Sequence, residues 1–255
     1  MSKFRSVALT GASSGIGAAI ARRLARQPGI RLALNGRDEG RLADVAGECR
    51  RLGATVETLI ADVTDRRAMS EWARTIDAGS PVDLVIAAAG INSERGLPGD
   101  AADRAIAVVE VNVVGCLNTV EPFLPAMRQR RGGQIGILAS VAGFRGMPRT
   151  PSYGASKAAL INLGQAWREA LAASGVGVSV ICPGYVRTPM TAANRIPMPF
   201  MIDADDAAAR SLAAVERNRG CVSFPWPLAV AAWLFRTMPA SVTRPLVPKP
   251  ERPQP

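Results

Sequence analysis

The sequence contains no histidine, and this absence excludes several kinds of site. A Ser-His-Asp triad or a Cys-His pair would have no base, and a zinc centre would lack its commonest nitrogen ligand. The four cysteines are far apart and show neither metal-ligand nor redox-motif spacing; they are Cys49, Cys116, Cys182 and Cys221. We therefore predict free, buried thiols and no bound metal.

Long apolar runs are also missing. The longest candidate, PLAVAAWLF at 227–235, is about half of the roughly 18 residues that a membrane-spanning helix needs. The N-terminus has no apolar run followed by a small-residue cleavage site, so no signal peptide is predicted. With 48% hydrophobic residues, the 255-residue chain can fill a core, and we expect a globular cytoplasmic protein.

Lysine is scarce although the chain is basic. Lys3, Lys157 and Lys249 are the only lysines among 31 basic residues, and the formal net charge is +10. The arginines are scattered as single residues and pairs, as on solvated helix faces, so we do not expect nucleic-acid binding. Lys157 follows Tyr153 by four positions, which places both side chains on one face if the segment is helical. A lysine there supplies a compact point charge, unlike the guanidinium that the chain uses elsewhere.

Apolar, strand-like runs alternate with helical patterns along most of the chain. The predicted strands are 5–10, 31–35, 55–61, 82–89, 133–140 and 176–182. The predicted helices are 17–27, 38–53, 65–77, 103–131, 152–175 and 203–218. This alternation, with nearly continuous apolar strands, indicates a doubly wound parallel sheet with helices on both faces. We therefore predict a single α/β domain over residues 1–240.

The pattern changes after the last of these strands. Residues 184–202 are rich in proline and methionine, and we predict a long loop that forms a lid beside a site. A short apolar helix is predicted near 227–238. A proline-rich tail at 241–255 completes the chain.

A glycine-rich turn, TGASSGIG at 10–17, follows the first predicted strand and opens the first predicted helix. Gly11, Gly15 and Gly17 permit a tight turn and close approach of a ligand, and free N–H groups at a helix start attract phosphate. No Gly-Lys-Ser/Thr follows, which argues against a nucleotide triphosphatase. The turn also matches the Gly-x-Ser-x-Gly elbow of hydrolases, but the chain lacks the histidine base of those enzymes.

Several motifs occur together in the order and spacing of one enzyme family. They are Thr10-Gly11-xxx-Gly15-x-Gly17, the segment NVVG that contains Asn112, Ser140, and Tyr153-xxx-Lys157 thirteen residues after that serine. They resemble the short-chain dehydrogenase/reductase family across residues 4–190, about three quarters of the chain. The resemblance implies a Rossmann-type fold and an oxidoreductase that interconverts a ketone or aldehyde and an alcohol. In one departure, Ala88 stands where the family usually has an asparagine that ties the central sheet together, so we expect less local rigidity there.

The resemblance also implies catalytic roles for four side chains. The cofactor carries the hydride, and the protein supplies position and a proton. Tyrosine has a pKa of about 10, and a nearby Lys157 would stabilise the phenolate of Tyr153 and lower that pKa. Ser140 would hydrogen-bond the substrate oxygen. Asn112 would bind a water that links Lys157 to solvent.

The end of the second predicted strand bears on the choice of cofactor. An acidic side chain there would bind the ribose 2′-hydroxyl and select NAD. Asn35 and Gly36 are neutral and Arg37 suits a phosphate, which favours NADP(H) over NAD(H); alternatively Arg37 stacks on adenine or faces solvent. The cofactor-binding residues implied by the resemblance are Gly11, Ser13, Ser14, Gly15, Ile16, Gly17, Asn35, Arg37, Asp62, Val63, Ala88, Gly90, Tyr153, Lys157, Pro183, Gly184, Val186 and Thr188.

Apolar side chains in the predicted lid and the C-terminal segment favour a hydrophobic ketone or alcohol as substrate. They are Met190, Ile196, Met198, Phe200, Met201, Ile202, Trp226, Trp233, Leu234 and Phe235. Alternatively, they pack against the core or a second subunit. Segment 226–238 could also rest on a membrane surface, with Arg236 and Arg244 near lipid phosphates.

The resemblance further implies a homodimer or homotetramer through the long helices at 103–131 and 152–175.

Two other functions stay open: an NADP(H)-binding regulator without turnover, and a nucleotide-sugar epimerase or dehydratase. The intact set of Ser140, Tyr153 and Lys157 argues against the regulator. The roughly 65 residues after 190 are too few for the larger substrate domain that such epimerases usually carry.

Overall fold

Strands and helices alternate through residues 4–92, 98–146, 148–192 and 197–243, which are those that the computed structural model describes. The strands are β1 (Ser6–Thr10), β2 (Arg31–Gly36), β3 (Thr55–Ile60), β4 (Leu84–Ala87), β5 (Gly133–Leu138), β6 (Val176–Pro183), β7 (Val186–Arg187), β8 (Ile202–Asp203) and β9 (Cys221–Phe224). The helices are α1 (Gly15–Leu24), α2 (Glu39–Arg51), α3 (Arg66–Gly79), α4 (Ala101–Val109), α5 (Gly115–Val120), α6 (Leu124–Gln129), α7 (Pro151–Ala172), α8 (Pro189–Ala192), α9 (Ala204–Glu216), α10 (Trp226–Thr237) and α11 (Ala240–Thr243).

Seven of the strands form one parallel sheet in the order β3-β2-β1-β4-β5-β6-β9. The chain builds outward from β1 to β3, then returns to the other side of β1 and builds outward again through β4. Ligands of open α/β sheets bind outside the carboxyl ends of the strands at such a reversal. The reversal lies here between Thr10 of β1 and Ala87 of β4, which are paired in register.

The sheet separates two hydrophobic cores. Because successive residues of a strand point to opposite faces, Leu9 of β1 packs with Ile20 in one core and Ala8 packs with Phe123 in the other. Helices α1, α2 and α9 contribute to the first core, and α3, α5, α6 and α7 contribute to the second. The prediction of a doubly wound α/β domain with helices on both faces is therefore confirmed.

Some elements differ from the sequence prediction. The predicted helix at 103–131 is broken by a π-helical segment at Glu110–Val114 and by one 3₁₀ turn at Glu121–Phe123. Strand β9 was not predicted, because it is a four-residue edge strand that buries only one side chain fully. The C-terminal helix predicted near 227–238 is α10.

The predicted lid has more structure than a loop. Strands β7 and β8 pair in parallel at its two ends, and α8 follows β7. Residues 193–196 lie outside the described residues, and they include Ile196, one of the apolar side chains of the predicted lid. Most of the predicted tail, 244–255, and with it Arg244, also lies outside them, while 241–243 belong to α11.

The helical stretch Ala101–Gln129 is long and apolar enough to cross a membrane by length and composition alone, which differs from the sequence expectation. Its most apolar window is 44% buried inside the protein. The stretch contains Asn112, whose side chain is fully buried against other parts of the fold. A helix that covers a sheet in a globular protein passes the same test, so the finding is weak support for a span.

Candidate active site

The glycine turn joins the carboxyl end of β1 to the start of α1. Gly11 and Gly15 have φ angles of +68° and +54°, which glycine adopts without strain. A Cβ on Gly17 would lie 2.2 Å from the carbonyl oxygen of Gly11. Ser14 is the N-cap of α1, but its side chain makes no capping hydrogen bond, which leaves N–H groups of the first turn for an anion.

Neighbouring segments approach this turn closely. A Cβ on Gly11 would lie 2.7 Å from the backbone nitrogen of Ala89 and 2.8 Å from the carbonyl oxygen of Ala88. A Cβ on Gly15 would lie 3.2 Å from Cγ2 of Thr188, so the start of the lid contacts the turn. Side chains at these glycines would fill a cradle that the backbone of residues 88–89 and the Thr188 side chain surround. The residues therefore fit the phosphates of a dinucleotide, the cofactor class that the resemblance implies.

Ser140 lies two residues after the end of β5, at the carboxyl edge of the sheet. It is the N-cap of a 3₁₀ turn at Val141–Gly143. Its Oγ accepts a hydrogen bond from the N–H of Ala142 (3.1 Å) and donates one to the carbonyl of Pro183 (3.3 Å). Its hydroxyl also lies beside the phenol of Tyr153 and acts to lower the pKa of that phenol. The structure thus brings Ser140, Tyr153 and the end of β6 together.

Gly143 explains how the 3₁₀ turn can lie against α7. A Cβ at this position would lie 2.6 Å from the carbonyl carbon of Lys157 and 2.8 Å from the backbone nitrogen of Ala158. Any side chain would push the turn away from α7, and Ser140 away from Tyr153. Gly143 carries no reactive group, so the Ser-x-x-Gly spacing after β5 is its only signal in the sequence.

Gly143→Ala is expected to lower turnover at least about tenfold and to destabilise the fold by about 1–3 kcal/mol, as overpacking does. Gly146→Ala is the matched control, because a Cβ there has no heavy atom within 4 Å. Steady-state kinetics and urea unfolding of both variants test this. If the two variants behave alike, the contact of Gly143 with α7 does not position Ser140.

Lys157 is 5% exposed and lies on α7 one turn beyond Tyr153. Its Nζ donates a hydrogen bond to the carbonyl of Leu138 at 2.8 Å and lies 5.7 Å from the centroid of the Tyr153 ring. Burial lowers the pKa of Lys157 to about 8. The ammonium is therefore still the main form at pH 7, and it is held in place beside the ring.

The pKa of Tyr153 moves opposite to the sequence expectation. Burial raises it, and the neighbouring Ser140 hydroxyl opposes that rise only in part. The net direction is therefore opposite to the sequence expectation for the polypeptide by itself, and Tyr153 is a protonated phenol at neutral pH.

Asn112 lies in the π-helical segment and is completely buried. Its Nδ2 donates to the carbonyl of Ile91 and to Oγ of Ser156, both at 2.9 Å, and its Oδ1 accepts from the N–H of Ile91 at 2.8 Å. A Cβ on Gly90 would lie 3.0 Å from Oδ1 of Asn112 and 3.4 Å from Nζ of Lys157. Both amide hydrogens are thus used by protein partners, so a water relay would have to bind an oxygen of Asn112.

The ends of β2 and β3 are joined by polar side chains. Arg37 is 57% exposed, and its guanidinium donates to Oδ2 of Asp62 at 3.1 Å. Oδ1 of Asp62 accepts from the N–H and the hydroxyl of Thr64. Burial alone would raise the pKa of Asp62, but the hydrogen bonds from Thr64 and Arg37 outweigh it and lower that pKa. Arg37 is therefore oriented at this edge and still open to solvent.

Other predicted cofactor residues have their side chains in the protein interior. Asn35 is 1% exposed, and its amide donates to the carbonyls of Leu59 and Ala61, which ties β2 to β3. Val63 and Val186 pack in the two cores. These residues can reach a ligand only through their backbone.

The apolar side chains of the predicted lid and the C-terminal segment do not form one continuous surface in the structure. Trp226 and Trp233 point outward and are 74% and 58% exposed, so they do not line the site. Leu228, which was not predicted, is the residue of α10 that faces it: a Cβ on Gly184 would lie 2.3 Å from Cδ2 of Leu228. Met190 and Phe200 of the lid are exposed. Because α10 spans Trp226–Thr237, helical periodicity in the sequence could have shown that Trp226 and Trp233 lie on a different face from Leu228.

The cysteines are free thiols, and three of them are buried as predicted. Burial raises the pKa of Cys49 to about 11 and that of Cys116 to about 12. Cys221 is exposed, which corrects the prediction, because it begins the edge strand β9. Within the described ranges, no group of three or more metal-ligating side chains occurs.

Comparisons with known proteins agree with this geometry. The sequence model of the short chain dehydrogenase family matches residues 5–198. An uncharacterised oxidoreductase of Myxococcus xanthus is 36% identical over 237 residues, which cover 92% of this chain and 93% of that protein.

Two solved structures are similar to the whole fold. A short-chain dehydrogenase from Sphingobium yanoikuyae in complex with NADPH has a TM-score of 0.78 at 28% identity and covers 92% of this chain and 96% of its own. A 3-oxoacyl-[acyl-carrier protein] reductase from Brucella melitensis with bound NAD has a TM-score of 0.75 at 27% identity and covers 86% of this chain and 88% of its own. With its glycine cradle and its Ser140, Tyr153 and Lys157 set, this chain is an oxidoreductase that belongs to the short-chain dehydrogenase/reductase family.

Proposed function

We propose that the protein is an NADP(H)-dependent reductase that converts a hydrophobic ketone or aldehyde to an alcohol. The observation that carries the proposal is the arrangement at the carboxyl edge of the sheet: Lys157 is held by the carbonyl of Leu138 beside the ring of Tyr153, and the Ser140 hydroxyl neighbours the phenol. The segment 88–90 links this set to the glycine cradle, because Ala88 and Ala89 lie against Gly11 and Gly90 lies beside Nζ of Lys157. A substrate carbonyl could therefore lie next to both a proton donor and a bound nicotinamide.

The proposed chemistry divides between cofactor and protein. A bound NADPH supplies the hydride to the carbonyl carbon. Ser140 and Tyr153 hold the carbonyl oxygen by hydrogen bonds, and Tyr153 gives that oxygen its proton. The raised pKa of Tyr153 supports the reductive direction, because it keeps the phenol protonated at neutral pH. Lys157 supplies positive charge that stabilises the phenolate left behind.

Proton return to Tyr153 is proposed to pass through Lys157. Its Nζ lies close to Gly90 and, through that glycine, to Oδ1 of Asn112. A water bound to an oxygen of Asn112 would link the ammonium to solvent. Glycine at position 90 supports this route because a larger side chain would occupy the space between the two groups.

The preference for NADP(H) rests on Arg37. It is the cation at the end of β2, it is oriented by Asp62, and no acidic side chain stands at position 35 or 36 to bind a ribose 2′-hydroxyl. A 2′-phosphate would gain a charge-assisted hydrogen bond from the exposed guanidinium. The solved relatives include one with NADPH and one with NAD, so they favour neither cofactor.

Arg37→Ala is expected to lower kcat/KM for NADPH about 10- to 100-fold and to change kcat/KM for NADH less than about threefold, since a charge-assisted hydrogen bond contributes about 1.5–3 kcal/mol. Arg41→Ala is the matched control, because Arg41 is equally exposed but pairs with Asp38 at the start of α2. Initial rates measured with NADPH and with NADH give kcat/KM for each cofactor and test this prediction. A parallel loss for NADPH and NADH, or a preference of the unmodified protein for NADH, would overturn the assignment.

A hydrophobic substrate is supported by the apolar groups around the opening of the site. Leu228 contacts the Gly184 loop, and the lid exposes Met190 and Phe200. NADPH oxidation should be measured over ketones of graded chain length, with NADH in parallel. NADPH binding without turnover would favour a regulator, and tightly retained cofactor without net NADPH consumption would favour an epimerase.

The assembly is proposed to be a homodimer or homotetramer in the cytoplasm. The outer side of the stretch 101–129 exposes Ile106 (55%), Val109 (40%) and Val114 (40%). Apolar side chains that face solvent on one side of a long helix support a subunit contact there.

A further inference from the structure

Helix α10 exposes an apolar stripe on its outer side. Trp226, Val230, Trp233 and Leu234 are 74%, 49%, 58% and 42% exposed. A helix advances about 100° per residue, so positions separated by three, four, seven and eight residues lie on one face. Large aliphatic and aromatic side chains thus form a continuous strip in contact with water.

The outward orientation of this stripe is fixed by contacts on the other side of α10. Leu228 packs against the loop at Gly184. The guanidinium of Arg145 donates hydrogen bonds to the carbonyls of Phe235 and Met238, at the C-terminal end of the helix. The helix cannot turn its stripe inward without breaking these bonds, so the stripe needs another partner.

The charge around α10 indicates the kind of partner. No aspartate or glutamate occurs from 217 to 250, a segment that contains Arg217, Arg219, Arg236, Arg244 and Lys249. On the helix itself, the exposed Arg236 borders the stripe. The other exposed apolar stripe, on the stretch 101–129, has acidic neighbours at Asp103, Glu110 and Glu121. Of these two stripes, the one on α10 is the one that combines exposed apolar side chains with an entirely basic surrounding sequence.

We propose that the outer face of α10 docks on the surface of an anionic lipid bilayer. Tryptophan is favoured at the boundary between acyl chains and headgroups, where its ring is buried and its N–H stays hydrated. Val230 and Leu234 would enter the same boundary, and Arg236 would lie near lipid phosphates. The helix would lie in the plane of the surface and would not cross the membrane.

Docking places the loop at Gly184 near the lipid, because Leu228 on the inner side of α10 contacts that loop. A hydrophobic ketone dissolved in the bilayer could then enter the site directly. This second step rests on the proposed function, whereas docking by itself does not.

Vesicle binding tests the proposal with the full chain. Flotation with vesicles of phosphatidylcholine plus phosphatidylglycerol is expected to recover the protein, and recovery should fall in high salt and with pure phosphatidylcholine vesicles. Tryptophan fluorescence gives a second readout. Trp72 and Trp167 are already buried, at 7% and 9% exposure, so a blue shift on binding reports Trp226 and Trp233.

Variants separate the apolar from the electrostatic contribution. Trp226→Gln with Trp233→Gln is expected to lower vesicle affinity at least about tenfold, because two large apolar side chains no longer leave water. Arg236→Glu is expected to lower it about fivefold or more. Leu52→Gln is the control: Leu52 is 42% exposed at the end of α2, and this variant should bind like the unmodified chain.

Three outcomes would overturn the proposal. They are no binding to anionic vesicles, equal binding to anionic and zwitterionic vesicles, and a dimer in light scattering that the double tryptophan variant abolishes without any vesicle binding. The last would assign the stripe to a second copy of the chain. NADPH oxidation with a water-soluble ketone, measured without lipid, reports separately whether the proposed reductase activity is correct.

Discussion

Tyr153→Phe is expected to lower kcat for carbonyl reduction about 10²- to 10⁴-fold, which is the contribution of a positioned general acid. The change removes one hydroxyl oxygen and leaves the ring, so the packing of α7 and the position of Lys157 beside the ring should persist. NADPH affinity should stay within about threefold of the unmodified value, since the cradle at Gly11–Gly17 is untouched. Stopped-flow rates and a fluorescence titration with NADPH measure the two quantities.

The chain contains one other tyrosine, Tyr185, which supplies the matched control. Its backbone carbonyl accepts from the N–H of Ile202, while its hydroxyl has no hydrogen bond among the described residues. Tyr185→Phe is therefore expected to keep turnover within about threefold. Full activity of Tyr153→Phe would remove Tyr153 from the chemistry, and a biological effect that survives in an inactive Tyr153→Phe variant would favour a regulator.

Much of the fold could be predicted because the strands carry strong local signals. Strands β1, β2 and β6 are almost completely buried on both faces, so each appears in the sequence as a continuous apolar run. Strand β9 has no such signal, because it lies at the sheet edge and buries only Phe224 fully. The π-helical segment around Asn112 also gives no periodic signal, since it changes the hydrogen bonding of an otherwise helical pattern.

The sequence could predict which residues form the candidate site, but it could not predict which atoms their side chains contact. Tyr153 and Lys157 are one helical turn apart, and that spacing follows from sequence alone. That the ammonium binds the carbonyl of Leu138 instead of the phenol oxygen depends on where β5 ends against α7. The close packing of these two elements depends in turn on Gly143, because a side chain at that position would clash with the backbone of α7 at Lys157 and Ala158. The direction of the Tyr153 pKa was therefore not accessible from the sequence.

Lys157→Met is expected to abolish most activity and at the same time to stabilise the protein. Burial lowers the pKa of Lys157 from 10.5 to about 8, so at pH 7 the fold carries a buried ammonium at a cost of about 3 kcal/mol. Methionine has a similar length and no charge. It leaves the carbonyl of Leu138 without its partner, which costs about 1 kcal/mol. The expected net gain in the free energy of unfolding at pH 7 is about 2 kcal/mol.

The sign of the pH dependence follows from proton binding. Between about pH 8 and 10.5, Lys157 is neutral in the folded chain and protonated in the unfolded chain, so the unmodified protein gains stability as the pH rises through that range. The gain of Lys157→Met should therefore be full below pH 8, fall to zero at about pH 9.5, and become a loss of about 1 kcal/mol above about pH 10.5, where only the missing hydrogen bond to Leu138 remains. Urea unfolding at pH 7 and pH 10 measures it, with Arg67→Met as the control because Arg67 is exposed on α3. A variant that is less stable at pH 7, or a gain that does not change with pH, would contradict the buried charge.

A stabilised, inactive variant would show that this lysine is kept for its chemistry at the expense of stability, as expected for a charge that serves Tyr153.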